Sequence, residues 1–173
     1  MPSTLDQEKL MSFLHKLGRD VASSGRVYLT GGATALLFQW RATTIDLNLK
    51  ANPEPARFFE VIAQLKDDLA IDVELASPDH FIPLPSGWQE RSVFIGRFGK
   101  IDFFHFDLYS QALAKIERGH DRDHRDVQAM LQNGHIHAAQ LEKYFAVIEP
   151  ELIRFPSIRP QSFRAAVEAI IRP

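Results

Sequence analysis

Two oxygen-bearing side chains stand two residues apart in the run Ile45-Asp46-Leu47-Asn48-Leu49. Apolar and polar residues alternate here, which predicts a β-strand with one buried face. Asp46 and Asn48 then lie together on the opposite face, where both can hold the same ligand. The alternative interpretation is that both side chains are only solvated on an exposed face.

A glycine turn precedes this strand. Residues 27–29 form a short apolar run of β type, Thr30-Gly31-Gly32 interrupts it, and residues 33–40 are helix formers without a breaker. Backbone N–H groups at such a turn, near the start of a helix, can bind phosphate oxygens. The hydroxyls of Thr30 and Thr34 add two further donors. The alternative is a plain tight turn without a ligand.

This order of strand, glycine turn, short helix and Asp-x-Asn strand resembles the signature of the nucleotidyltransferase fold. In that signature a Gly-Gly or Gly-Ser turn precedes Asp-x-Asp or Asp-x-Glu. The run Arg41…Thr44-Ile45-Asp46 also looks like the Arg…Thr-x-Asp-x-Asp run of the AbiEii/MenA-like branch, which is associated with toxin–antitoxin systems, and of its uncharacterised bacterial relatives. The chain departs from the pattern at Asn48, where the family has a second carboxylate.

The resemblance implies a role for each of these positions. Thr30, Gly31, Gly32, Thr34, Arg41 and Thr44 would contact the nucleotide. Asp46 and Asn48 would be catalytic and would bind Mg²⁺, which prefers anionic oxygen ligands. Asn48 offers only a neutral carbonyl oxygen, so it weakens a two-metal site more than a site for a single metal.

The family pattern includes a third carboxylate on a neighbouring strand. Asp72 and Glu74 on the third predicted strand and Asp102 on the fifth are the candidates, and the register of the strands decides between them. We favour Glu74 as the third catalytic carboxylate and metal ligand. Surface carboxylates on an edge strand are the alternative.

A second stretch, residues 113–127, resembles the Lys…Arg…Arg-Asp-x-x-Asp motif of the AbiEii/MenA-like proteins. The resemblance implies that Lys115 contacts the triphosphate and that Asp123 or Asp126 belongs to the catalytic centre. Asp123 and Asp126 are three residues apart, hence neighbours on a helix. A solvated, salt-bridged helix start is the alternative. A rival interpretation makes His120, His124 and Asp123 metal ligands.

Composition narrows the class of protein. The chain has 173 residues, 45% of them hydrophobic and 24% charged, with a net charge of −2 and no cysteine. Disulfides and thiolate metal sites are thereby excluded, and no overall basic charge attracts nucleic acid. The polar first residues do not resemble a signal peptide, and no apolar run is long enough for a membrane span. We therefore expect a cytoplasmic protein that does not associate with membranes.

The periodicity predicts an α/β (α+β) fold of about five strands with flanking helices and a helical C-terminal part, and the resemblance implies that the strands form a nucleotidyltransferase-like mixed sheet. Residues 1–109 form the predicted core, and residues 110–173 pack on it as helices to give one compact unit. Ser3 or Thr4 is the expected cap of the first helix, and Asn52-Pro53 the expected start of a later one. Val93–Arg97 and Lys100–Asp107 are expected to pair as a hairpin.

The predicted activity is Mg²⁺-dependent transfer of a nucleotidyl group from an NTP to a hydroxyl of RNA or protein. The second hypothesis is a catalytically degenerate module of a toxin–antitoxin type system, which binds a nucleotide or a cognate toxin or antitoxin. Asn48 is the feature that favours the second hypothesis.

Overall fold

The computed structural model describes residues 3–173, apart from the side chain of Asp46. The chain divides into two compact units. The first unit comprises Met1–Ser77 and Ser92–Phe106, and the second comprises Pro78–Arg91 and Asp107–Pro173. The predicted division at residues 109 and 110, with both parts in one compact unit, stays a prediction.

A mixed sheet forms the first unit. Its strands are β1 (Gly25–Thr30), β2 (Asp46–Ala51), β3 (Asp72–Glu74), β4 (Val93–Phe98) and β5 (Ile101–His105), in the spatial order β3-β2-β1-β5-β4. β1 runs antiparallel to β2 and parallel to β5, and β2 runs parallel to β3. Helices α1 (Gln7–Asp20), α2 (Gly32–Leu37) and α3 (Phe58–Leu69) complete the unit.

The alternation of the strands determines which face is buried. Val27 and Leu29 of β1 and Leu47 and Leu49 of β2 are fully buried in a cluster that includes apolar residues of α1 and α3. The opposite face carries the intervening residues, among them Thr30 and Asn48, which are directly paired. The predicted placement of Leu47, Leu49 and Asn48 is therefore confirmed, whereas Ile45 precedes the strand and is 61% exposed.

Helices form the second unit. They are α4 (Trp88–Arg91), α5 (Leu108–Arg118), α6 (Asp121–Gln132), α7 (Ala138–Ile148) and α8 (Pro160–Ile171), with 3₁₀ segments at Pro78–His80 and Glu149–Arg154. Asp107 caps the N-terminus of α5, because its carboxylate accepts hydrogen bonds from the backbone N–H groups of Tyr109 and Ser110. Arg91 donates two hydrogen bonds to the same carboxylate and lies 4.1 Å from the ring centroid of Tyr144.

The predicted fold class is confirmed: a mixed five-stranded sheet with flanking helices and a helical C-terminal part. The hairpin of β4 and β5 is confirmed too, since the two strands pair antiparallel around Gly99. Two predicted helix starts are wrong. Asp6 caps α1, its carboxylate accepting the N–H of Lys9, and α3 begins at Phe58 after Arg57 takes a left-handed backbone conformation. Within residues 3–173, none of the helices combines the length and the apolar composition that crossing a membrane requires.

Candidate functional site

The turn between β1 and α2 brings glycine backbone close to the strand that follows. Gly31 has φ +64°, a conformation that residues with a Cβ rarely adopt. A Cβ at Gly31 would stand 3.3 Å from Nδ2 of Asn48. A Cβ at Gly32 would overlap the Thr44 side chain, at 2.6 Å from its Cβ. The positive φ therefore favours glycine at position 31, and the close approach of Thr44 leaves no room for a Cβ at position 32.

Asn48 has an unusual environment for a polar side chain. Its Oδ1 is buried and has no hydrogen-bond partner among the described residues. An unsatisfied buried acceptor costs about 1–3 kcal/mol, so such atoms are rare in native proteins. A ligand that supplies a donor or a cation would remove this cost. Among the described atoms of this face, Oδ1 of Asn48 is therefore the one that most directly indicates a ligand-binding position.

The register of the sheet answers the question of the third carboxylate in part. Glu74 is paired with Asn48, and Asp72 with Asp46, across the parallel strands β2 and β3. Asp102 lies on β5, two strands away from β2, and forms an ion pair with Arg97 at 3.2 Å. Glu74 and Asp72 are therefore the carboxylates next to the Asp-x-Asn strand. Their role as metal ligands stays a prediction.

The donor set near Asn48 is compatible with one hard cation, provided that phosphate oxygens or water complete its shell. Mg²⁺ takes oxygen ligands and usually keeps several waters, with one or two carboxylates from the protein. Asn48 Oδ1 and Glu74 supply two oxygens from paired positions, and the side chain of Asp46 lies outside the described atoms. Among the described side chains, no three His, Cys, Asp or Glu residues gather into a metal-binding group.

The other predicted contacts of the nucleotide have different surroundings. Thr30 is buried opposite Asn48, while Thr34 is fully buried and its Oγ1 lies 3.0 Å from Nδ1 of His105. Arg41 is half-buried, beside a surface cleft. Helix α2 spans six residues, so its macrodipole is weak, and phosphate binding depends on the bare backbone of the turn. All these nucleotide contacts stay predictions.

A buried ion-pair network occupies the second unit. Lys115 Nζ lies 2.8 Å from Oδ2 of Asp126 and 3.6 Å from Oδ1 of Asp123. Arg118 donates two hydrogen bonds to Asp123, at 2.7 and 2.5 Å. Lys115, Asp123 and Asp126 are each less than 10% exposed. The residues of the predicted motif therefore contact one another, and the network carries two positive and two negative charges.

The charges of this network shift the acidity of Asp123. Burial acts to raise the pKa of its carboxyl, but the hydrogen bonds from Arg118 and the charges of Lys115 and Arg118 outweigh that effect. The pKa of Asp123 consequently lies below its ordinary value of 3.8. Asp123 is the third residue of α6, and His120 is the residue that precedes the helix. The oxygens of Asp123 are thus already paired with Lys115 and Arg118, which counts against their use in the rival histidine site.

Two residues of the sheet in the first unit, Lys50 and His105, were not identified from the sequence. Lys50 lies two residues beyond Asn48 on the same face of β2, opposite Tyr28. The continued alternation Asp46, Asn48, Lys50 was the signal that could have identified it. His105, at the end of β5, stacks on Phe38 with ring centroids 4.4 Å apart. No pattern in the local sequence indicates that His105 contacts Thr34 of α2.

Comparison with known families decides the affiliation. The sequence matches, over residues 8–166, the family described as "Nucleotidyltransferase of unknown function (DUF6036)". The chain belongs to this family. This DUF6036 match spans both units and supports the nucleotidyltransferase resemblance, whereas the AbiEii/MenA-like branch is not confirmed. No curated protein matches the chain, and no solved structure matches it either.

Proposed function

We propose that this DUF6036 protein transfers a nucleotidyl group from an NTP to an acceptor hydroxyl of RNA or protein, with Mg²⁺. The observation that carries the proposal is Oδ1 of Asn48, a buried acceptor without a partner among the described residues. It lies beside Gly31, which has a positive φ, and opposite Thr30 in a chain of a nucleotidyltransferase family. A bound cation or nucleotide would satisfy this atom.

Each residue of the turn has a stated task in the proposal. The backbone N–H groups of Gly31 and Gly32 bind phosphate oxygens, because no side chain keeps the ligand away from the backbone there. Asp46, Asn48 and Glu74 hold the cation through oxygen atoms. A Mg²⁺ ion held by these residues would offset negative charge on the phosphates and would lower the pKa of the attacking hydroxyl.

The reaction itself is a displacement at the α-phosphorus. The acceptor oxygen forms a bond to the α-phosphorus, and the bond to the oxygen that bridges the α- and β-phosphates breaks. Pyrophosphate leaves with that electron pair, and the hydroxyl proton passes to the surrounding water. The residues of the site contribute mainly by positioning and by offsetting negative charge, since such transfers need little covalent help from protein.

The network in the second unit has a supporting role in this proposal. Lys115 is held by Asp126 and Asp123, so it can contact a triphosphate only if a phosphate oxygen joins or replaces these carboxylates. We retain Lys115 as the proposed triphosphate contact, and Asp123 and Asp126 as the carboxylates that orient it. A point charge of this kind suits a phosphate group.

A second function is favoured by the same Asn48. The neutral amide removes one negative charge from the position where the nucleotidyltransferase pattern has a carboxylate, and Mg²⁺ prefers anionic oxygen. The chain would then serve as a nucleotide-binding or protein-interaction module with a cognate toxin or antitoxin partner. Asn48→Asp separates the two functions: a large gain in activity indicates a decayed site, and a loss indicates that Asn48 is the working residue.

The direct test is a transfer assay with NTPs labelled at the α-phosphate. Purified protein is incubated with Mg²⁺ and with separate pools of RNA and of protein acceptors. The proposal predicts label in one pool, at a level that Asp46→Ala reduces at least a hundredfold and EDTA abolishes. Full transfer by Asp46→Ala would refute the site, and no transfer to either pool would favour the interaction module.

A further inference from the structure

A cleft of about 320 Å³ lies in the first unit, between the start of α1 and the segment that follows α2. It is lined by Gln7, Leu36, Gln39, Trp40, Arg41 and Ala42. Within this lining an indole ring and an apolar side chain stand beside two amides and a guanidinium. That combination offers a surface for stacking together with donors and acceptors in the plane of a ring. It suits a planar heterocycle better than a bare ion or a lipid.

The segment that forms the cleft is held in a strained conformation. Gln39 has φ +69°, in the left-handed region that residues with a Cβ avoid. The N–H groups of both Trp40 and Arg41 donate to the carbonyl oxygen of Ala35, at 3.1 and 3.3 Å. Backbone strain of this kind concentrates at functional sites, because the surrounding structure must compensate for it. Here the strained turn fixes Trp40 and Arg41 next to each other at the cleft.

The indole is supported from behind by other rings. Trp40 stacks on Phe38 with parallel planes and centroids 5.6 Å apart, and Phe38 stacks on His105. His105 is in turn bonded to Thr34 of α2. Since this ladder of rings fixes the indole, a ligand that stacks on Trp40 loses little additional side-chain freedom. Aromatic platforms bind a base by stacking on its π-face.

Helix α2 connects the glycine turn of the proposed nucleotide site to the cleft. Helix α2 has six residues and therefore a length of about 9 Å. Gly31 precedes its first residue, and the cleft follows its last turn. The chain from Arg41 to Thr44 then returns to the turn, because the Thr44 side chain lies against Gly32. One nucleotide can thus place its phosphates at the turn and its base toward the cleft.

We propose that this cleft is a purine-binding subsite in which Trp40 stacks on the base and Gln7, Gln39 and Arg41 contact its edge. Glutamine pairs with the adenine edge and arginine with the guanine edge, in each case through two hydrogen bonds, one of them to N7, an atom that pyrimidines lack. The assignment rests on the proposed function, since it takes the NTP as the ligand. It predicts that ATP or GTP binds better than CTP and UTP.

Fluorescence offers a specific readout, because the chain has two tryptophans, Trp40 and Trp88. In the variant Trp88→Phe, Trp40 is the remaining fluorophore. Titration with AMP, GMP, CMP and UMP isolates the contribution of the base from that of the triphosphate. We expect saturable quenching by AMP or GMP, with at least fivefold weaker binding of both pyrimidine nucleotides. Equal quenching by all four, or none, would overturn the subsite.

Calorimetry with variants of the wild-type protein, in which Trp88 is unchanged, provides a second test. Trp40→Leu is expected to weaken binding of the preferred NTP about tenfold, while the matched variant Trp40→Phe keeps a stacking ring and loses less than threefold. Gln39→Gly removes the amide without strain, so it should lose base preference while the melting temperature rises. Unchanged NTP affinity in a folded Trp40→Leu protein would refute the subsite but leave the proposed function intact. No NTP binding by the wild-type protein would instead refute the nucleotide site, and the base subsite with it.

Discussion

Asn48 and Gly31 lie so close that a Cβ added to Gly31 would stand 3.3 Å from Nδ2 of Asn48. The amide nitrogen of Asn48 therefore lies next to the glycine turn. Its oxygen end is buried and has no partner among the described residues. The same side chain thus connects the predicted phosphate turn to the predicted metal strand. A substitution of either residue should therefore alter both the turn and the strand.

Gly31→Ala tests this contact. The alanine would be forced to adopt a positive φ, and its Cβ would press on the Asn48 amide. We therefore expect a loss of about 1–3 kcal/mol in the free energy of unfolding. NTP binding should fall together with stability. Urea denaturation and calorimetry measure the two effects.

Gly134→Ala is the matched control. Gly134 also has a positive φ, +73°, but a Cβ there would meet nothing within 4 Å. The control should lose about 1 kcal/mol for the backbone alone and keep its nucleotide affinity. If both variants lose equal stability and neither affects binding, the Gly31–Asn48 contact has no functional role.

Asn48→Asp tests how the site responds to an added charge. Without a cation, the new carboxylate at position 48 is a buried charge, so the variant should have a lower melting temperature than the wild-type protein. With millimolar Mg²⁺ the temperature should recover, because a ligand that binds only the folded state stabilises it. Asn133→Asp, which places the same change on an exposed residue, should respond to neither condition. An Asn48→Asp protein that is insensitive to Mg²⁺ would count against a cation at this position.

Asp126→Ala leaves the buried ammonium of Lys115 with Asp123 as its remaining described carboxylate partner. Removing one partner of a buried ion pair typically costs about 3–5 kcal/mol, since the other charge keeps its desolvation penalty. We expect the loss near the lower end, because Asp123 remains 3.6 Å away. Urea denaturation is the measurement.

Two variants bracket that result. The double variant Lys115→Met with Asp126→Leu should recover most of the stability, because apolar groups of similar volume can replace a buried pair. Glu151→Ala breaks the exposed pair with Arg154 and should cost less than about 1 kcal/mol. A double variant as unstable as Asp126→Ala would show that the loss of stability in Asp126→Ala does not come from the unpaired ammonium of Lys115.

The pKa of Asp123 predicts a dependence of stability on acid. Its value in the folded protein is below 3.8, so its ion pairs contribute fully at higher pH. As the pH falls below 3.8 and through the folded pKa, the carboxylate is protonated and that contribution is lost. We expect Asp123→Asn to unfold more easily at neutral pH, but to lose less stability than the wild-type protein below about pH 4. If the free energy of unfolding of the two proteins falls in parallel as the pH is lowered, this assignment is contradicted.

The strands and the C-terminal helices were readable from the sequence because their apolar residues repeat clearly. The two strands β4 and β5 are separated by Gly99, which has φ +59° at the turn, and α5 to α8 carry apolar residues at helical spacing. The start of α3 was not readable, since a proline after an asparagine suits a turn as well as a helix cap. The true start depends on the left-handed backbone of Arg57.

The site was only partly readable for a related reason. Local spacing put Asp46 and Asn48 on one strand, and Asp123 beside Asp126 on one helix. It could not show that Lys115 would reach both aspartates, because that contact joins two helices. Nor could it show that Glu74 pairs with Asn48, since register is set by the packing of the whole sheet.

Calorimetric titration with each of the four NTPs, with Mg²⁺ and with EDTA, tests the central claim most directly. The wild-type protein is compared with Asp46→Ala and with Asn133→Asp as a folded control. The account predicts saturable binding of at least one NTP with Mg²⁺, at least tenfold weaker binding in EDTA, and loss of the difference in Asp46→Ala. Absence of binding for all four NTPs, or binding that neither EDTA nor Asp46→Ala changes, would contradict it.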